Sequence, residues 1–386
     1  MLMSNSDKKL KIGLVLDASL DNTDGVQQYI IDIGEWLSQQ NYDVHYLVGQ
    51  TKRRDLKNIH SLSRNVSVKF NGNHTTMPLP TSRHKLRSFL DSQQFDILHV
   101  QVPYSPFMAH RLILSAGSKT AIIGTFHVVA YSRVVSFGAR ILGYWLRSSL
   151  KRFSQIVSTS SASADFAKKE FGIDSAVLPC VIDYNRFHNA VRLKQYDDDV
   201  VTILFLGRLV PRKGCQQLIE AIILLKQNKD LPKFRVIICG KGPLESKIRH
   251  LIKNNQLEDI VSMIGFVKES VKPSYYASAD ISVFPSTGGE SFGIVLLEAM
   301  ASGRSVVLAG ANSGYKTVMS PRPNLLFDPN DVALLAEKLQ HFLVNNDQRK
   351  TTQAWGAEYA KSFDVNNVGL WLVEIYRQAL KKRIIQ

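Results

Sequence analysis

The chain alternates between two kinds of segment, and it does so twice over. Short apolar runs bounded by turn residues are followed by longer stretches with helical periodicity. Runs of that length and composition suit parallel strands buried on both faces, and the intervening stretches suit helices laid across them. Residues 11–16 (KIGLVL) are the first such run. After the turn-rich segment 21–25 comes a helix with Val26, Tyr29, Ile30, Ile33 and Leu37 on one face. Further strands are expected at 44–48, 97–102, 121–126 and 155–159. A second set follows at 202–206, 234–239, 261–266, 281–284 and 305–309, separated by helices at 216–227, 244–255, 273–278 and 294–301. This is the rhythm of doubly wound α/β domains, and 386 residues exceed what one hydrophobic core usually serves. The expected organisation is a Rossmann-like domain over 1–183, a polar linker over 184–199 and a second such domain over 200–368. A closing helix over 369–386 is expected to pack back on the first domain. Two domains of this kind place a cleft between them, a favoured position for ligands.

Composition narrows the class of protein. No stretch approaches the ~18 uninterrupted apolar residues of a membrane span, and the first residues lack the apolar core of a secretory signal. Cys180, Cys215 and Cys239 are too few and too scattered for a disulfide framework or a zinc site, which fits a reduced, cytoplasmic setting. The charge is lopsided. The chain carries 48 Lys and Arg against 33 Asp and Glu, a net +15. Residues 51–164 hold 16 basic and 3 acidic residues, and no acid lies between Asp96 and Asp165. Such a region points to a polyanionic partner.

The sequence following the strand at 202–206 is Gly207-Arg208-Leu209-Val210-Pro211-Arg212-Lys213-Gly214. Cations at the carboxyl end of a parallel strand suit a diphosphate, although neither GxGxxG nor GxxxxGK[ST] is present. After the strand at 281–284 comes PSTGGESFGIVLLEAMASG, residues 285–303. Its small-residue loop opens a helix near Gly293, where backbone amides face an anion. Glu298 lies in an otherwise apolar helix, so its carboxylate requires a partner; ribose hydroxyls would supply one. Glu290 sits in the loop and would face a sugar.

At this segment the sequence resembles the retaining glycosyltransferases of family 4, which have the GT-B fold: two Rossmann-like domains facing each other across a deep cleft. Glu290 and Glu298 reproduce the family's E-x7-E motif. GRLVPRKG is similar to its donor-phosphate loop, and the strand end Ile264-Gly265-Phe266-Val267 is similar to the one whose backbone reads the nucleotide base. Asp24-Gly25-Val26-Gln27-Gln28 looks like the family's GGVQ loop, and Thr125-Phe126-His127 like its TFH strand end. Within the family, GVQ, the basic run Arg83-His84-Lys85-Leu86-Arg87, DILHV, TFH and PRKG follow the order seen in the phosphatidylinositol mannosyltransferases. Four departures stand out: Asp24 replaces a glycine, Pro179-Cys180-Val181-Ile182-Asp183 replaces PNGVD, Ser305 replaces a proline, and Tyr104-Ser105-Pro106 replaces a polar tract.

The resemblance implies transfer of a hexose from a nucleotide diphosphate sugar, best matched by mannose from GDP-mannose, to a lipid acceptor such as phosphatidylinositol. It implies catalytic roles for Glu290, Arg208, Lys213 and His127. The donor would be bound by Gly25, Arg208, Lys213, Val267, Glu290, Phe292, Gly293, Ile294 and Glu298, and the acceptor by Gln27 and His127. No metal or other cofactor is expected: no DxD follows a strand, and Asp197-Asp198-Asp199 precedes one. The two-carboxylate scheme of glycoside hydrolases leaves the cations without a task. Residues 131–155 (YSRVVSFGARILGYWLRSSLKRFSQ) combine bulky apolar groups with Arg133, Arg140, Arg147, Lys151 and Arg152. With Arg83, Lys85 and Arg87 they suit an anionic membrane surface, and hence a peripheral enzyme on the inner face of the cell membrane. The alternatives are a soluble family 4 enzyme acting on a small sugar or polysaccharide and a non-enzymatic basic protein that binds membrane or nucleic acid. No nucleic-acid module is visible, so nucleic acid is not an expected partner.

Overall fold

The apolar run at the start of the chain is buried along its length because helices cover both faces of the sheet it joins. The computed structural model describes residues 9–21, 24–70, 73–129 and 133–385. It divides into two compact units, one running to Val181 and resuming at Val365, the other spanning Ile182–Asp364.

The first unit contains strands β1 (Lys11–Leu16), β2 (Asp43–Val48), β3 (Ile59–Ser61), β4 (Asn65–Phe70), β5 (Asn73–Pro78), β6 (Ile97–Gln101), β7 (Ala121–Phe126), β8 (Gln155–Ser158) and β9 (Ala176–Val177). Seven of them form a parallel sheet in the order β3-β2-β1-β6-β7-β8-β9, while β4 and β5 pair as an antiparallel ribbon. Its helices are α1 (Gly25–Gln39), α2 (Arg83–Gln93), α3 (Met108–Ser115), α4 (Arg133–Trp145), α5 (Arg147–Leu150) and α6 (Ser161–Phe171).

The second unit contains α7 (Tyr184–His188), α8 (Cys215–Lys226), α9 (Glu245–Asn254), α10 (Lys272–Ala277), α11 (Ile294–Ala301), α12 (Ser313–Val318), α13 (Val332–Val344) and α14 (Asn346–Lys361). They surround β10 (Val201–Leu206), β11 (Phe234–Cys239), β12 (Val261–Gly265), β13 (Ile281–Phe284), β14 (Val306–Gly310) and β15 (Leu326–Phe327), a parallel sheet in the order β12-β11-β10-β13-β14-β15. Each sheet therefore reverses its strand order once, between β1 and β6 and between β10 and β13. In open α/β sheets that reversal leaves a crevice at the carboxyl ends of the strands, and ligands bind there.

Residues 184–199, expected as a linker, lie within the second unit. Asp183 accepts a hydrogen bond from the Arg186 amide at 3.0 Å and so caps α7, and Ile182 pairs with Asp364 as an isolated bridge. The chain leaves the second unit at Asp364 and ends in α15 (Val365–Ile385). Two polar contacts tie α15 to the rest of the first unit: Trp36 Nε1 donates to Asn366 Oδ1 at 2.9 Å, and, fully buried, Tyr376 Oη lies 2.8 Å from His99 Nδ1.

Candidate functional site

The loops after β10 and β13 are stitched together where the second sheet reverses. Gly214 ends the first loop at φ +75°, and a Cβ there would lie 2.0 Å from the Pro285 carbonyl oxygen of the second. The Arg212 carbonyl accepts from the Thr287 amide at 2.9 Å and from Ser286 Oγ at 3.0 Å. A third loop braces the second: Asn312 Nδ2 donates to the Ser286 carbonyl at 3.0 Å while its Oδ1 caps α12 by accepting the Tyr315 amide. Gly293, with φ +113°, lets the chain enter α11 over the Tyr315 ring, which a Cβ would meet at 2.7 Å.

This frame fixes Glu290. Its Oε1 accepts from Arg212 Nη1 at 2.7 Å, Lys213 Nζ at 2.8 Å and Ser286 Oγ at 2.9 Å. Burial pushes the carboxyl pKa up, but Lys213 and Arg212 outweigh it and hold the group below its ordinary range. Glu290 is therefore an ionised, oriented carboxylate set among cations. Arg212 and Ser286 were not anticipated as its partners; PRKG named the loop as cationic, but the partner assignments depend on which loops meet.

Glu298 is buried, as its apolar helix required, and its partners come from the protein itself. Lys272 Nζ lies 2.6 Å from Oε1, and Tyr276 Oη donates to Oε2 at 3.1 Å. Lys272 also meets Glu269 at 2.8 Å, and Glu269 receives Arg186 at 3.2 Å. Burial alone would lower the Lys272 pKa; Glu298 and Glu269 together keep it above its ordinary value. The need for a ribose to satisfy Glu298 is thus removed, although each of its oxygens keeps acceptor capacity. Lys272 and Tyr276 lie on α10, more than twenty residues upstream, where nothing in the sequence marks them as partners of α11.

Arg208 lies two residues past β10 and is half-buried, its loop held by the Leu209 amide donating to the Lys241 carbonyl at 3.0 Å. Val267 follows β12, beside Phe266, which is 60% exposed. Phe292 is buried edge-on against Phe363, and Ile294 opens α11. Asp197 and Asp198 of the acidic run face Arg192 and Arg235.

In the first unit, Gly25 begins α1, and Gln27 is buried with its Nε2 3.4 Å from the Ser19 carbonyl. His127, just past β7, is 4% exposed; its Nε2 lies 2.6 Å from Gln101 Oε1, and Tyr29 meets its ring edge-on at 5.1 Å. Burial pushes the imidazole down to about 3, so it is neutral at physiological pH.

The basic region differs from expectation in its geometry. Residues 133–150 form two helices, and the outward stripe of α4 is apolar rather than cationic: Val134, Phe137, Ile141, Tyr144 and Trp145 are all exposed, Tyr144 and Trp145 at 76%. Arg140 turns towards α6 and pairs with Glu170 at 2.7 Å, where Ser136 also donates. The Arg133 side chain lies outside the described residues. Arg147 and Lys151 are exposed, and Arg152 donates to the Ala116 carbonyl at 2.8 Å. On α2, Lys85 and Arg87 are exposed and Arg83 reaches the Leu114 carbonyl at 3.5 Å. Among the described residues no helix is long and apolar enough to cross a membrane.

A family model described as Glycosyltransferase Family 4 matches residues 23–186, and one described as Glycosyl transferases group 1 matches residues 191–361. A phosphatidyl-myo-inositol mannosyltransferase of Mycobacterium tuberculosis is 28% identical over 374 residues, covering 95% of this chain and 96% of that protein. Among solved structures, the sucrose-phosphate synthase of Thermosynechococcus elongatus superposes with a TM-score of 0.72 at 18% identity, over 97% of this chain and 100% of the other. A protein of Anabaena crystallised with UDP-glucose superposes at 0.67 and 18% identity, over 95% and 99%.

Proposed function

The chain belongs to the family 4 glycosyltransferases and is a nucleotide-sugar-dependent enzyme of the GT-B fold, and from that premise we propose a retaining, metal-independent mannosyltransferase that uses GDP-mannose and a membrane lipid acceptor such as phosphatidylinositol. The observation that carries this reading is Glu290, held ionised between Lys213 and Arg212 at the strand-order reversal of the second sheet. As the glycosidic bond of the donor breaks, negative charge accumulates on the departing diphosphate. Arg208, Lys213 and the backbone entering α11 at Gly293 stabilise it, and preorganised donors of this kind each contribute ~10²–10³ in rate. Lys213 has three N–H groups, so its bond to Glu290 leaves others for phosphate oxygens. That arrangement gives the leaving group its counter-charge without a metal.

Glu290 orients the hexose through its hydroxyls, Val267 and the end of β12 face the base, and Phe292 and Ile294 pack the donor loop. Glu298 binds the ribose with the acceptor capacity that Lys272 and Tyr276 leave. In the first unit, Gly25 lines the diphosphate, and Gln27 and His127 contact the transferred sugar or the acceptor; a neutral His127 suits hydrogen bonding to hydroxyls better than ion pairing. The relative's acceptor, as its name gives it, supports an inositol phospholipid here. So does the apolar stripe of α4 flanked by Arg147 and Lys151: interfacial helices bury such a stripe among acyl chains and keep cations at the headgroups. The enzyme would then work peripherally, on the inner face of the cell membrane.

The test offers a panel of nucleotide sugars in excess chelator, with phosphatidylinositol vesicles or free sugars as acceptors. Transfer of mannose from GDP-mannose to the vesicle lipid with the anomeric configuration retained is expected. Transfer to free sugars alone would establish the soluble-acceptor alternative, and loss of transfer in chelator would remove metal independence.

A further inference from the structure

The end of β6 carries three features that the reaction above leaves unused. Gln101, its last residue, is 1% exposed, and its Oε1 lies 2.6 Å from His127 Nε2. Its amide nitrogen, equally buried, has no hydrogen-bond partner among the described residues. Val102 follows at φ +56°, a left-handed conformation that a β-branched residue rarely adopts, with its own N–H committed to the Thr125 carbonyl at 3.1 Å. Strain of this sort persists only where surrounding structure imposes it, and it gathers at functional sites. β6 also flanks the strand-order reversal of the first sheet, so Gln101 stands at the edge where such sheets take ligands.

An amide oxygen only accepts, so the proton shared with the ring belongs to His127 Nε2. In a neutral ring the other nitrogen is then an acceptor. Tyr29 meets the ring edge-on at 5.1 Å and restricts its tilt. A buried donor without a partner costs ~1–3 kcal/mol, and a polyhydroxylated ligand is the chemistry that satisfies an NH₂ group and an imidazole acceptor together. We propose that Gln101 is a positioning residue: it holds His127 in the Nε2-protonated tautomer, so that Nδ1 accepts a hydrogen bond from a sugar hydroxyl, while its own amide donates to the same sugar. The proposal rests on His127 facing the sugar, as argued above.

Two readouts separate this proposal from that reading. The first uses the full-length protein labelled with ¹⁵N-histidine at pH 7, with His127→Ala assigning the resonance; the two neutral tautomers differ in their ring nitrogen shifts. The wild type is expected to show Nε2–H, Gln101→Leu a mixture, and Gln101→Glu, which still accepts, Nε2–H again. Nδ1–H in the wild type, or an unchanged tautomer in Gln101→Leu, overturns the proposal. The second readout is turnover. Partners that orient a functional histidine contribute about 10–100-fold, so Gln101→Leu should lose kcat by about that factor with a smaller change in KM. Gln101→Glu, lacking the NH₂ donor, should fall between Gln101→Leu and the wild type. Wild-type kcat in Gln101→Leu despite an altered tautomer also overturns it. If the leucine variant does not fold, the glutamate variant still reads the donor: full wild-type kcat there excludes it. A wild type that turns over no nucleotide sugar defeats the proposed function while leaving the tautomer assignment intact.

Discussion

Glu298 is a buried carboxylate on α11 whose charge is met from the neighbouring helix α10. Its burial follows from the apolar helix around it, and so does the need for a partner. The identity of that partner does not follow, because Lys272 and Tyr276 reach it from a separate helix. Removing one member of a buried pair leaves an uncompensated charge, which costs ~3–5 kcal/mol. Lys272→Met should therefore destabilise the second unit by about that amount, because among the described residues Glu298 then keeps the Tyr276 hydroxyl alone. Glu298→Gln should cost less, since Lys272 keeps Glu269 at 2.8 Å. Urea unfolding of the two variants checks the order; equal losses would mean that Glu269 does not compensate Lys272 once Glu298 is gone. The same contrast holds at Glu290: the motif identified the carboxylate, whereas Arg212 and Ser286 became its partners only through the folding of two loops onto each other.

At the level of elements, the buried strands were legible because burial on both faces writes itself as an uninterrupted apolar run. β1, β7, β11 and β13 fall at the expected residues, and β2, β6, β8, β10, β12 and β14 within one of them at either end. The short strands β3, β9 and β15 carry too few residues for a pattern, and the β4–β5 ribbon stands apart from the parallel sheet. The helix at 294–301 was legible from its glycine boundaries; the division of 131–155 into α4 and α5 was not. In the sequence the basic and apolar residues of 131–155 read as one membrane-facing segment, whereas packing against α6 draws Arg140 onto Glu170 and leaves the apolar stripe outward. The stripe is therefore the better target. Phe137→Ser combined with Trp145→Ser removes exposed groups, so thermal stability should hold within a degree or two. Sedimentation with vesicles containing phosphatidylinositol should fall about tenfold or more, since burying one large apolar side chain is worth ~1.5–3 kcal/mol. Unchanged sedimentation of the double variant would shift the membrane contact to α2.

Over the whole molecule, the two units differ in how they hold protons. The histidines pushed below their ordinary range by burial, His45, His60, His99, His110 and His127, all lie in the first unit, His99 and His127 at about 3. A histidine depressed in the folded state binds its proton only on unfolding, so its contribution is complete above pH ~6.5 and is lost as pH falls towards the folded value. Asp17, at the end of β1, acts in the opposite sense. Burial raises it to about 6 against the hydrogen bonds from Ser105 and Ala109, so it takes up its proton in the folded state first and adds stability as pH falls from there towards 4. His99 and His127 together bind two protons on unfolding, and Asp17 returns one. Once Asp17 has protonated, the remainder is a loss of ~1.4 kcal/mol for each pH unit below about 6, and the other three histidines add to it in the same sense. In the second unit Glu290 is held low by Lys213 and Arg212, and its contribution is retained until pH falls below the ordinary carboxylate range near 4.5. Calorimetry between pH 7 and pH 5 should accordingly resolve two transitions, with the one belonging to the first unit moving to lower temperature and the other nearly stationary. His99→Phe and His127→Phe, by removing proton uptake, should each flatten the shift of the first. Parallel movement of both transitions, or a first transition indifferent to pH, would show that the burial of these histidines is not what sets the acid sensitivity of the fold.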